Sequence, residues 1–309
     1  MVEIIIVGGG IVGTVVADKL QDMNKDVKII EKERKVKQLN SNRSVWSIIP
    51  PLCGDLMEKC LSSIDYYVQL SHKYGVIYKE MSVISDKQIG REISMNKLKE
   101  MEPDIAVPES TKMYIYERAL YLDGEKLLEK VTKSVMINEE VIGYEIKDNK
   151  ITKLHLSSGE NISVNGNVIF STGYLTIKLF SIKDLEVYKG HLISSSSSFT
   201  LNNILFYKGK IFLKRRGSEV IISSDAEKTT DNKINYEKVK DAVNTVNSIY
   251  PLSHQILVSV GFRTASSSKK YVIEKIAENA LVITGFRFGF AMAPFIVDEA
   301  LGLLKSGSS

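Results

Sequence analysis

Cysteine is nearly missing from this 309-residue chain. It has 2 cysteines, Cys53 and Cys60, beside 4 histidines, 6 prolines and 1 tryptophan. So few cysteines exclude a disulfide-dense scaffold. The scattered His72, His155, His191 and His254 give no metal-ligand spacing, so no metal is expected. Free thiols in a reducing cytoplasm are the expected state. A dominant charge sign is also lacking. Lys and Arg total 41 against 37 Asp and Glu, a formal net charge of +4, and no dense basic cluster occurs, so no nucleic-acid partner is expected. No apolar run approaches the ~20 residues of a membrane-spanning helix, and Pro294 interrupts the longest, Ala291–Val297. No signal-peptide pattern follows Met1, because strand-type sequence begins directly. Glutamine is confined to positions 21, 38, 69, 88 and 255 while Lys, Glu and Ile abound, which leans towards a thermophilic source. The closing Ser306–Ser309 reads as an appended tail and is excluded from fold reasoning.

What is present begins at the N-terminus. Val2–Val7 (VEIIIV) is of strand type and runs into Gly8-Gly9-Gly10-Ile11-Val12-Gly13, a G-x-G-x-x-G. Thr14–Leu20 then opens a helix, and Val27–Ile30 is a second strand ending on Glu31. Strand, glycine turn, helix, strand and acid together form the context of a dinucleotide fingerprint. Gly8 permits the tight turn, Gly10 lets a pyrophosphate approach the backbone, and Gly13 lets helix and strand pack closely. The helix N-terminus offers free N–H groups and partial positive charge. Glu31 can accept hydrogen bonds from ribose hydroxyls, and its charge argues against NADP. The fingerprint by itself does not separate NAD from FAD.

Further along, Asn40–Pro51 is polar and irregular. Asp55–Tyr74 carries Met57, Cys60, Leu61, Ile64 and Val68 at helical spacing. Asp123 can cap a helix bearing Leu127, Leu128, Val131 and Val135. Val141–Lys147 and Ile151–Leu156 flank Asp148-Asn149 as a hairpin. Val168–Ser171, Val187–Phe199 and Ile204–Ser223 read as strands, the serine run Ser194–Ser198 lying in or at the edge of one. Tyr236–Ile249 reads as an amphipathic helix, Ile256–Arg263 and Leu281–Thr284 as buried strands. Pro294 is expected in the first turn of a final helix through Leu304. There is no internal repeat and no single cut between halves, so two interwoven domains are expected.

Three separated segments carry one message. They are GGGIVG with Glu31; Val168–Gly173 (VIFSTG) after the hairpin; and Val260–Thr264 (VGFRT) with Ala280–Pro294 (ALVITGFRFGFAMAP). Together they resemble the FAD-dependent D-amino-acid oxidase superfamily, in particular its glycine oxidase and sarcosine oxidase branch. The resemblance implies an α/β fold, a Rossmann-like FAD-binding domain interleaved with a mixed α+β substrate domain. It assigns 1–76, 134–188 and 259–305 to the FAD-binding domain, and 77–133 and 189–258 to the substrate domain. FAD is favoured over NAD, which needs only the first segment.

The implied FAD contacts are Gly8, Gly10, Ile11, Val12, Gly13, Glu31 and Lys32, with Val141 and the turn Ser171-Thr172-Gly173 near the adenine end. Arg43, Ser44, Ser47 and Ile48 lie in a stretch similar to the family's flavin-facing T-R-A-x-x-G-M. Gly285, Phe286, Arg287, Phe288 and Gly289, followed by Phe290 and Ala291, match the glycine-rich turn beside the isoalloxazine. Gly261-Phe262-Arg263-Thr264 matches the family's G-L-R-P, whose arginine holds the substrate carboxylate. An arginine at the end of an apolar strand is poorly placed as core and well suited to clamping a carboxylate with two parallel N–H bonds. A structural ion pair is the alternative. Arg287 is expected at the flavin, as a second anion clamp, or in a solvated loop. Tyr114, Tyr116, Tyr121 and Tyr207 are read as lining the substrate or as core, with Tyr207 favoured for the site. Arg215-Arg216 is similar to a family strand pair or flanks a β-turn.

The sequence also departs from the family. Thr264 stands where proline is usual, the glycine-rich turn lacks its histidine, and Lys189 and His191 replace the usual arginine and glutamine. The implied reaction is oxidation of the Cα–N bond of a small amino acid or N-methyl amino acid, by hydride transfer to flavin N5, with O₂ or another electron acceptor. The alternatives are a dehydrogenase subunit serving a partner or quinone, an enzyme acting on a 2-hydroxy acid or polyol phosphate, and a protein holding FAD structurally. Homo-oligomer formation is left open.

Overall fold

The computed structural model describes residues 4–133, 135–215, 217–223, 226–252 and 255–306. Arg216, His254 and the tail residues 307–309 lie outside them. In chain order the first elements are β1 (Ile4–Val7), α1 (Ile11–Asp22), β2 (Val27–Glu31), β3 (Ser47–Ile48), α2 (Met57–Tyr74), β4 (Tyr78–Ser85), β5 (Arg91–Ile93) and α3 (Met95–Met101). Then come β6 (Met113–Leu122), α4 (Gly124–Thr132), β7 (Met136–Asn138), β8 (Val141–Lys147), β9 (Lys150–Leu156), β10 (Asn161–Ser163), β11 (Asn167–Phe170), α5 (Thr176–Leu179) and β12 (Leu185–Ser196). The last are β13 (Ile204–Tyr207), β14 (Lys210–Lys214), β15 (Glu219–Ser223), β16 (Glu227–Lys228), α6 (Tyr236–Asn247), β17 (Ile256–Ser266), β18 (Val272–Ala277), β19 (Ala280–Thr284) and α7 (Gly289–Ser306).

The first sheet has the order β18-β19-β11-β1-β2-β7. β1 lies parallel between β11 and β2. Ile4 and Ile6 pack into the core shared with α1 and α7, while Ile5 and Val7 pack into a second core under the small β8–β10 sheet. Both faces are covered, which is why β1 is apolar at every position rather than alternating. The hairpin forms as expected, with Asp148 and Asn149 at φ 51 and 58, the left-handed pair a two-residue turn requires. Asp123 caps α4 by accepting from the Lys126 N–H. The helix layer has a polar tie as well. Asp18 of α1 is buried and accepts from Tyr66 Oη at 2.9 Å, Tyr74 Oη at 3.0 Å and Lys73 Nζ at 2.7 Å, all on α2.

The second, larger sheet runs β16-β12-β15-β14-β13-β4-β6-β3, with β17 on β12 and β5 on β6. One face joins the first core, and the other packs on α3 and α6. Strand pairing and helix packing cross the expected domain boundaries. β12 and β17 pair continuously from Leu185↔Ser266 to Ser195↔Ile256, so cuts at 188/189 and 258/259 would split one ribbon that passes between the two halves. β3 pairs with β6 and belongs to this sheet although it precedes residue 76. α4 packs in the first core with α1, because Leu127, Leu128 and Val131 face that way. β17 is also less buried than expected. Its start lies at the sheet edge, and Leu257 is 76% exposed.

The final helix starts at Gly289, so Pro294 sits inside it. Proline has no N–H to donate to the carbonyl four residues back. That carbonyl, Phe290 O, instead accepts from Tyr67 Oη of α2 at 2.9 Å. The kink-prone position is tolerated because a neighbouring helix replaces the missing bond.

The expectation of free thiols is overturned. Cys53 and Cys60 form a disulfide, with Cα atoms 6.7 Å apart. Cys53 lies in the 3₁₀ segment Pro50–Leu56, which bends at Gly54 (φ 58) before α2 begins, so the two cysteines do not sit on one continuous helix. The thiol argument for a cytoplasmic location falls with it. Disulfides occur in oxidising compartments and in the cytosol of hyperthermophiles. No helix among the described residues is long and apolar enough to cross a membrane.

Two outcomes are expected. Tyr67→Phe strands the buried Phe290 carbonyl and lowers unfolding free energy by about 1–3 kcal/mol in urea denaturation. An unchanged midpoint would contradict the substitution of Tyr67 for the proline N–H. Thiol titration of the oxidised, denatured chain is expected to find no free cysteine, with both appearing after reduction. Two free thiols before reduction would refute the disulfide.

Candidate active site

A cavity of about 930 Å³ lies between the two sheets. Its first wall is the fingerprint. Gly8 has φ +104, and a Cβ there would lie 2.6 Å from Ser171 O. The first bond of the α1 ladder is Thr14 N–H to Gly10 O at 2.9 Å. The N–H groups of Ile11, Val12 and Gly13 therefore precede the ladder, and Val12, which lines the cavity, can offer its N–H to an anion. Ile11 N–H is met by Ser41 Oγ at 2.9 Å, and the first turn carries no acidic residue. Glu31 accepts from Gly9 N–H at 2.7 Å through one oxygen and from Glu33 N–H at 2.9 Å through the other. Burial pushes its pKa up, and these two N–H groups pull it part of the way back. Each oxygen keeps a second lone pair for a ribose hydroxyl.

The acids lining the cavity are Glu31, Glu33, Glu139 and Glu140. They gather at one end, since Glu139 N–H donates to the Glu31 carbonyl at 3.0 Å. The other end is built by β12, β17 and the start of α7. Arg263 lines it, half-buried on β17. A Cβ on Gly190 of β12 would approach the Arg263 Nη2 to 3.1 Å, so glycine there leaves the guanidinium its path. Among the described residues no acid pairs with Arg263. Burial, and then the positive charge of Arg287, press its pKa down. The ion-pair alternative thus finds no partner, and the site presents an uncompensated cation. Arg287 lines the same cavity and is exposed.

Trp46, held at φ 51, meets Phe290 edge-on at 5.3 Å between ring centroids. Thr264 Oγ1 contacts Thr284 Oγ1 at 3.0 Å and accepts from Gly285 N–H at 3.1 Å. Its hydroxyl therefore joins β17 to the glycine-rich turn where the family has proline. His191 also lines the cavity, and its Nε2 accepts from Asn235 N–H at 3.0 Å. Burial and the Lys189 charge push its pKa down, favouring a neutral ring. Lys189 is buried and paired with Glu227 at 2.8 Å and Asp231 at 3.3 Å.

The cavity brings together most of the expected residues: Gly8, Gly10, Ile11, Val12, Glu31, Lys32, Arg43, Ser44, Ser47, Val141, Ser171, Thr172, Gly173, Phe286, Arg287, Phe288, Gly289, Phe290, Ala291 and Arg263. Four expected residues do not line it. Gly13 packs against the Gly8 carbonyl, and Gly285 against Val272. Ile48 is buried opposite Leu120. Tyr207 is corrected outright: strand alternation turns it into the α3/α6 core, and Phe206 takes the cavity face. Tyr114, Tyr116 and Tyr121 do not line the cavity either. Arg215 pairs with Glu219 at 2.5 Å, as a turn flank would. Trp46, Phe206 and Gly190 line the cavity as well. Trp46 lies inside the stretch similar to T-R-A-x-x-G-M, whereas the place of Phe206 follows from strand register, which no local signal in the sequence gives.

The model of the FAD dependent oxidoreductase family, DAO, matches residues 3–299. The chain belongs to that family. It is an FAD-dependent oxidoreductase, and the glycine cradle, the free helix N-terminus and Glu31 fit that cofactor's adenosine and pyrophosphate. No curated protein matches. Among solved structures, glycine oxidase from Bacillus cereus is 18% identical with a TM-score of 0.82, over 100% of this chain and 96% of that one. L-proline dehydrogenase from P. horikoshii is 18% identical, TM-score 0.83, over 100% and 94%. L-α-glycerophosphate oxidase from Mycoplasma pneumoniae, solved with FAD bound, is 16% identical, TM-score 0.80, over 99% and 95%. At these identities the likeness is one of fold.

Glu31 gives a pH prediction. Its pKa is raised above the ordinary 4.5, so on acidification it protonates earlier than a free glutamate. With Glu31 expected to accept from the ribose, its protonation is expected to lower FAD affinity as pH drops through that raised value, affinity being full above it. Fluorescence of released FAD is expected to rise at a pH above 4.5. Glu31→Gln is expected to bind FAD roughly tenfold more weakly at neutral pH and to lose that pH step. Identical profiles for both proteins would remove Glu31 from the ribose.

Proposed function

We propose that the enzyme oxidises the Cα–N bond of a small amino acid or N-methyl amino acid. The observation that carries this reading is Arg263, a half-buried cation lining the cavity with no acid partner among the described residues. A buried charge needs a counter-ion, and a substrate carboxylate held by two parallel N–H bonds supplies one. FAD, when bound, supplies the two-electron acceptor. Arg263 fixes the carboxylate and so orients the Cα–H. No carboxylate lines the Arg263 end among the described residues, which suits a substrate amine that reacts in its neutral form without a strong protein base. Cα loses a hydride, the nitrogen lone pair forms the C=N bond, and water then converts the imine to an oxo acid and free amine. The aromatic wall of Trp46, Phe206 and Phe290 limits water around the reacting carbon.

A second reading has one observation in its favour. Arg287 lies close enough to add its charge to that of Arg263, and two cations suit a phosphate or second carboxylate. An L-α-glycerophosphate oxidase is among the similar folds. The electron acceptor is O₂ or a partner, the latter in line with the L-proline dehydrogenase likeness. Peroxide formation during turnover decides between them.

Arg263→Ala is expected to raise KM for the acid substrate by about 100-fold, the loss of two charge-assisted bonds. Steady-state kinetics on the holoenzyme checks it. An unchanged KM would sink the clamp assignment.

A further inference from the structure

Pairing on β17 is one-sided at Phe262. Lys189 of β12 stands opposite it, but the Phe262 N–H and C=O both point away, to Asn40. Asn40 Nδ2 donates to Phe262 O at 2.6 Å, and Asn40 Oδ1 accepts from Phe262 N–H at 2.7 Å. One carboxamide thus stands in for the missing neighbouring strand. The next residue, Ser41, accepts from Ile11 N–H at the start of α1. The segment is seated tightly, since a Cβ on Gly261 would lie 2.4 Å from Arg43 Cβ. The Phe262 ring stacks on Tyr174 at 4.7 Å and 29°. Successive side chains on a strand point to opposite faces. Fixing Phe262 therefore fixes the direction of Arg263.

We propose that Asn40 is a positioning residue that aims Arg263 into the cavity and, through Ser41, ties that aim to the helix N-terminus facing the FAD pyrophosphate. The proposal rests on the reading of Arg263 as the carboxylate clamp. Without the latch the Phe262 N–H and C=O lose their side-chain partner, β17 is held there from the β12 side alone, and the guanidinium is less firmly aligned for a bidentate carboxylate. The substrate loses affinity while the cofactor keeps its adenosine contacts.

The test is benzoate binding to the FAD-loaded enzyme, followed by flavin absorbance, with FAD content and melting temperature measured on every variant. Arg263→Ala is expected to abolish the spectral change. Asn40→Ala is expected to weaken benzoate about tenfold, with FAD content and melting temperature held. Asn40→Asp keeps the acceptor for Phe262 N–H but loses the donor, and is expected to weaken it too; it carries the test if the alanine variant does not fold. Benzoate binding by Asn40→Ala at the wild-type level, with Arg263→Ala impaired, would overturn the latch alone. So would weakening that merely tracks lost FAD or a lower melting temperature. Wild-type binding by Arg263→Ala, or no binding by the wild type, would overturn the clamp and the latch together.

Discussion

A Cβ on Gly13 would sit 2.0 Å from Gly8 O, and one on Gly8 would sit 2.6 Å from Ser171 O. Three backbone segments meet there with no room for a methyl group. That approach sets the distance of α1 from β1 and β11 and brings the start of α1 to the cavity wall. The first core, filled by Val15, Val16 and Ala17 on one side and Ile296, Val297 and Ala300 on the other, depends on it. Moving α1 outward would both thin this core and remove the anion cradle. The packing of α1 and the shape of the cavity wall therefore rest on the same contact.

The second organising feature is the β12–β17 ribbon. It carries the larger sheet up to the first one and delivers Gly190, His191 and Arg263 to the cavity. Charge in the cavity is segregated by this arrangement. Acids gather around Glu31, while at the other end Arg263, half-buried and with no acid partner among the described residues, stands with the exposed Arg287. A dinucleotide spanning the two ends would put its reactive ring beside the cations. The wall at that end is backed by Trp46, Phe290 and Tyr67, and Tyr67 also repairs the break that Pro294 makes in α7.

Much of this was legible in the chain because it depends on local chemistry. The fingerprint, the Asp148-Asn149 turn and the Asp123 cap each follow from a few adjacent residues. What was missed depends on register or on distant partners. Tyr207 and Phe206 differ by one position on a strand, and nothing local says which faces the cavity. Pro294 looks like a helix start until Tyr67, over two hundred residues earlier, is seen to serve its carbonyl. The Cys53–Cys60 bridge needs the bend at Gly54, which a helical spacing rule hides. The burial of Asp18 likewise depends on distant partners, since Tyr66, Lys73 and Tyr74 converge on it from α2. Domain boundaries are not local features either, since the pairing of β12 with β17 continues across the place where sequence motifs change.

The most direct test of the central claim is the visible spectrum of the purified holoenzyme during anaerobic addition of glycine, sarcosine, proline and D-amino acids in turn. The account predicts a flavin spectrum that bleaches with at least one of these carboxylate-bearing amines. A flavin that none of them bleaches, but that glycerol phosphate or a 2-hydroxy acid does, would contradict amine oxidation and assign the Arg263 end to a different acid.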